Sequence, residues 1–151
     1  MTLKRIFPLL LLVFINPSHA GEMLAFQNTY IIAAPPGVET MAAYLTVINS
    51  GKRDKKIVRI DSHQFESAEI HRSTVEAGVA KMEKLDILQV PANSMVELSP
   101  GGLHIMLIGP KQPVLPGEFV ILRLEEADGT EHNLAVKVIF TAMDRKEHEH
   151  H

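Results

Sequence analysis

The sequence predicts an all-β domain, and two observations carry that prediction. Short runs rich in Val, Ile, Leu and Tyr recur along the chain without any sustained helical period. Between them stand Pro35-Pro36-Gly37, Asn49-Ser50-Gly51, Ser99-Pro100-Gly101-Gly102, Pro116-Gly117 and Asp128-Gly129, each containing residues that fix φ or permit it to be positive. Evenly spaced short strands of this kind build a sandwich or a Greek-key barrel. No internal repeat, low-complexity linker or second domain interrupts the pattern.

The chain opens on Lys4-Arg5, continues through an apolar run over 6–15 and reaches Ser18-His19-Ala20, the order of a secretory signal peptide cleaved after Ala20. A spanning helix needs about 20 apolar residues, and this run stops at Asn16-Pro17. With no cysteine in the sequence, lipidation behind the apolar run is excluded. The expectation is an exported, periplasmic protein without a membrane anchor. Removing residues 1–20 takes away Lys4 and Arg5 and moves the formal net charge from -3 to -5. A mildly acidic chain does not present the basic patches of a nucleic-acid binder. Without disulfides its stability must come from an ordinary core, and at about 130 residues a domain buries roughly two-thirds of its unfolded surface.

The domain is expected over 21–141, with strands at 24–33, 42–49, 56–61, 65–73, 79–88, 94–98, 103–108, 119–125 and 133–140. A flexible, His-rich tail follows at 142–151, with no apolar content to pack. His148, His150 and His151 alternate there with carboxylates, and this set could hold Cu(II) or zinc. His63 falls in an expected loop and His132 just after the Asp128-Gly129 turn, so both read as solvated.

The chemistry concentrates in the strand Leu103-His104-Ile105-Met106-Leu107. Alternation sends Leu103, Ile105 and Leu107 to the core and leaves His104 and Met106 side by side on the other face. Upstream, His71 and Met82 flank a segment whose centre, Glu76-Ala77-Gly78, reads as a turn. A hairpin centred between Glu76 and Ala77 would bring His71 opposite Met82, although a one-residue slip would send one of them to the other face. Imidazoles and thioethers suit Cu(I), whereas zinc would more usually recruit thiolates or further His and carboxylate ligands. Taken singly, either Met could fill a core gap and His71 could sit on a rim. The spacing of all four favours a site.

That spacing, His71, ten residues, Met82, twenty-one residues, then His104-Ile105-Met106, resembles the H-x10-M-x21-H-x-M copper motif of the periplasmic copper chaperone family PCuAC. Ala43-Tyr44-Leu45-Thr46-Val47-Ile48-Asn49-Ser50-Gly51, the residues around Met82 and those around His104 also resemble that family's local patterns. One departure is Arg72, where many members carry a further Met. The resemblance implies a cupredoxin-like Greek-key β-sandwich and copper held as Cu(I) by His71, Met82, His104 and Met106. It also implies delivery to a copper-accepting protein such as a cytochrome c oxidase subunit, alongside a second copper chaperone.

No enzyme class finds support: there is no Cys nucleophile, no Ser in an elbow motif and no dense carboxylate pair beside a His. A blue-copper electron-transfer site is disfavoured, since such centres use a Cys thiolate. The competing reading is a metal-free exported β-sandwich that binds a protein or carbohydrate.

Overall fold

The computed structural model describes residues 23–140, so the expected signal peptide and the His-rich tail lie outside the described residues. Ten strands form: β1 (Ala25–Ile32), β2 (Thr40–Asn49), β3 (Lys55–Asp61), β4 (Phe65–Glu76), β5 (Val79–Leu85), β6 (Leu88–Val90), β7 (Ser94–Leu98), β8 (Leu103–Pro110), β9 (Phe119–Glu126) and β10 (Glu131–Ile139). Their hydrogen-bonded order is β5-β4-β8-β2-β1-β10-β9-β3-β6, with β7 paired to β2 off this path.

One strand divides its length between two neighbours on the same side, and another is interrupted by an irregularity. In β2, Thr40 to Ala43 pair with β8, whereas Leu45 to Asn49 pair with β7. In β1, an irregularity between Gln27 and Tyr30 interrupts the pairing with β2. Asn28 there adopts a φ of 52°, a left-handed conformation that Asn tolerates better than most residues. Sequence neighbours are parted in the sheet: β3 follows β2 but lies beside β9, and β8 inserts between β4 and β2. Such long returns are the Greek-key pattern.

Period-two alternation fills the interior. Val120, Leu122 and Leu124 of β9 are buried and meet Val136 and Val138 of β10, Ile57 of β3 and Ile105 and Leu107 of β8 in one core. The expected assignment of Leu103, Ile105 and Leu107 to the core side holds. The run expected at 79–88 instead splits in two. Residues 79–84 stay exposed at the sheet edge, while Leu88 and Val90 must be buried and pair with β3 as a separate strand.

Candidate metal centre

The β4–β5 hairpin turns at Ala77 (φ 51°) and Gly78 (φ 79°). Positive φ at both central residues is the type I′ arrangement that matches the twist of a two-residue hairpin, and glycine takes the second position without steric cost. Its closing pair is therefore Glu76 with Val79, two residues displaced from the expected register. His71 faces Lys84, and Met82 faces Ser73. The expectation that His71 opposes Met82 is corrected, because a turn centred one residue earlier would have forced Glu76 into a left-handed conformation and spent the glycine elsewhere. A shift of two leaves every side chain on its original face, so Met82 still shares a face with Ser73 and His71.

The partner directly opposite His71 comes from β8, and it is His104. The ring centroids lie 5.9 Å apart. Two positions along β8, Met106 faces Ala42 of β2 on one side and Glu69 of β4 on the other. One face of the sheet thus carries His71, His104, Met106 and Met82, the last as a diagonal neighbour of His71. Diagonal positions of this kind lie roughly 7–8 Å apart, within reach of long side chains. His104, Met106 and Met82 line one depression of about 250 Å³ together with Tyr44 and Ser73. Exposure is graded across the group: His104 is 6% exposed, Met106 is half-buried and Met82, on the edge hairpin, is 55% exposed.

Each imidazole has one nitrogen committed to an acceptor. His104 Nδ1 lies 3.2 Å from the carbonyl oxygen of Gly102, which can only accept, so Nδ1 carries the proton and Nε2 keeps its lone pair. His71 Nε2 lies 2.9 Å from Glu69 Oε2. The Lys84 ammonium, 2.8 Å from Glu69 Oε1, and then His71 itself hold the Glu69 carboxyl below the usual carboxylate range, so it accepts and Nε2 donates. His71 Nδ1 is left buried with no hydrogen-bond partner in the protein. Metal-binding histidines are commonly braced in this way, with the second nitrogen donating to a carboxylate or backbone carbonyl. Tyr44, whose ring centroid is 6.5 Å from that of His104, has its hydroxyl pKa raised by burial and by the neighbouring Tyr30. Among the described residues, no group of three or more His, Cys, Asp or Glu is placed to hold a metal ion. An ion bound at this face would have to draw on the thioethers.

Arg72 pairs with Leu103 on the alternate face of β4, away from the two histidines. His63 is exposed, as expected. His132 is not: it is 7% exposed, its Nε2 lies 2.7 Å from Glu126 Oε1, and the Phe26 ring packs against its own in a T-shaped arrangement. Glu126 is 1% exposed, and its second oxygen meets Lys55 Nζ at 2.8 Å, which pushes the lysine pKa up. The signal was present in the alternation, since His132 begins the inward series continued by Leu134, Val136 and Val138. The adjacent Asp128-Gly129 turn obscured it.

Comparison with known proteins follows the same lines. The chain is 29% identical to Lxx21020 of Leifsonia xyli subsp. xyli over 124 residues, covering 82% of this chain and 74% of that protein. Among solved structures it resembles the "Copper-bound PCuAC domain from PmoF2" (TM-score 0.68, 21% identity, 80% of this chain and 95% of that one). It also resembles "CuI-DR1885" of Deinococcus radiodurans (TM-score 0.63, 30% identity, 78% of each chain). The architecture of these neighbours is the cupredoxin-like β-sandwich, and this chain shares it. The family model described as "Putative lipoprotein LpqE-like" matches residues 24–138, which spans β1 to within one residue of the end of β10. On that match the chain belongs to the LpqE-like family.

Proposed function

We propose that this protein is an exported copper carrier that holds Cu(I) through His71, Met82, His104 and Met106 and passes it to an accepting protein. One observation carries the reading: two imidazoles, each with a lone-pair nitrogen, stand on the same sheet face as two thioethers. Soft ligands of this type suit Cu(I). Support comes from solved neighbours that are themselves copper-bound. Export is supported by the signal-like opening segment and by the family's description as lipoproteins.

Carriage and release are served by the graded exposure of the group. His104 is held inside the sheet face, while Met82 on the edge hairpin is open to an incoming ligand that would displace it. A carrier of this kind needs no catalytic group. The proposed recipient is a respiratory copper site, chiefly in cytochrome c oxidase assembly, and a second copper chaperone is the proposed companion. Both come from the PCuAC resemblance. The tail histidines, His148, His150 and His151, are proposed as a separate and harder Cu(II) site.

Anaerobic titration with Cu(I) against a competing chelator tests the reading. One tightly held ion per chain is expected, retained when residues 147–151 are deleted. No binding above that of a variant lacking all four side chains would leave the metal-free interaction module standing.

A further inference from the structure

We propose that Glu69 is a positioning residue for this site: its carboxylate, tethered by Lys84, fixes His71 as the Nε2–H tautomer and so makes Nδ1 the nitrogen that meets the metal. The inference rests on the copper reading above and adds to it which atom of each histidine is used.

Glu69 stands two residues before His71 on β4, on the same face, and Lys84 lies directly across from His71 on β5. Its two carboxylate oxygens are divided between them, Oε2 at 2.9 Å from His71 Nε2 and Oε1 at 2.8 Å from Lys84 Nζ. The carboxylate cannot swing away without breaking two charge-assisted hydrogen bonds. A neutral imidazole carries one N–H, and an ionised carboxylate can only accept, so the proton must sit on Nε2. Nδ1 is then an acceptor, buried and unpartnered in the protein. Burying such an atom costs stability unless something occupies it, and a metal ion is the occupant its lone pair fits. His104 is arranged the other way round. Gly102 takes its Nδ1 proton and leaves Nε2. The two cross-strand histidines would therefore meet one ion through different nitrogens, each braced from behind by its own acceptor.

The test uses the metal-free protein labelled with 15N-histidine, at a pH where the rings are neutral. Ring nitrogen shifts should show His71 as Nε2–H and His104 as Nδ1–H. In Glu69→Ala, His71 should become a mixture of tautomers while His104 does not change. Cu(I) affinity should fall by about 10- to 100-fold, the usual cost of removing an outer partner of a metal-bound histidine. Glu69→Gln, which keeps an acceptor oxygen, should recover part of both effects, and Lys84→Met should give a smaller version of each. His71 found as Nδ1–H in the wild type, or unchanged as Nε2–H in Glu69→Ala, would overturn the proposal. So would a tautomer shift with unaltered Cu(I) affinity, provided that His71→Ala does weaken binding. If His71→Ala leaves Cu(I) affinity intact, the copper reading itself has failed, and the wild-type spectrum still tests the tautomer assignment without metal.

Discussion

Among the described residues two histidine–carboxylate pairs stand out, and their surroundings differ. In the pair of His132 with Glu126, Oε1 meets the imidazole and Oε2, which has no hydrogen-bond partner, lies in an ion pair with Lys55, and the glutamate is 1% exposed. Lys55 supplies a compensating charge and Phe26 covers the ring. The pair of His71 with Glu69 has a similar length, but it lies on an outer sheet face beside His104 and two thioethers. Its imidazole keeps a buried nitrogen with no protein partner. What meets each pair separates them: Glu126 is met inside the protein by His132 and by the Lys55 charge, which ties β9 to β10 and β3, whereas His71 Nδ1 faces no protein partner. A histidine close to a glutamate is therefore no indicator of a metal site until the second nitrogen and the neighbouring atoms are accounted for.

The largest stability effect expected from breaking this contrast is at the internal pair. His132→Ala should cost about 2–3 kcal/mol, because it strips a buried carboxylate of a hydrogen-bond partner. Chemical denaturation would report it, and Cu(I) affinity should not change. The reverse pattern is expected at the outer face. Met106→Ala should lower Cu(I) affinity by at least about tenfold, as even outer partners of a ligand are worth that much. Its unfolding midpoint should move less than that of His132→Ala. His104→Ala should weaken binding similarly, whereas His63→Ala should not.

The smallest effect sharpens the account of the Lys55 cluster. The backbone N–H of Thr130, with a further contribution from Lys55, holds the Asp128 carboxyl down from 3.8 to about 2. A depressed carboxylate pKa contributes stability that is fully present above the unfolded value and is lost as pH falls through the folded one. Asp128→Asn should therefore be slightly less stable than the wild type near neutral pH. The gap should close between pH 3.8 and about 2, as seen in thermal melts across that range.

Much of this arrangement was legible in the sequence. The strands, their turns and the projection of His104 and Met106 from one face followed from alternation and turn residues. The hairpin reading drew His71 and Met82 into the same group, and the spacing of the four then carried the resemblance. The hairpin register was misplaced because Ala77, which no local rule marks for positive φ, shares the turn with Gly78. The contact of His71 with His104 joins β4 to β8 across a long stretch of chain, and nothing in either strand announces its neighbour. His132 could have been read as inward from the alternation of β10, but Lys55 reaches Glu126 only because β3 lies beside β9.

The central claim is that two imidazoles and two thioethers hold one Cu(I), and proton competition tests it most directly. Thioethers have no proton to lose, so protons can compete at no more than two of the four ligands. Log affinity for Cu(I), measured anaerobically from neutral pH down to about pH 5, where the Glu69 carboxylate stays ionised, should fall as pH decreases with a slope that approaches two per pH unit and does not exceed it. Replacing either His71 or His104 by Met should reduce that slope to about one while binding persists, because one soft ligand is exchanged for another. A slope unchanged in either variant would remove that histidine from the site, and a slope above two in the wild type would contradict the four-residue assignment.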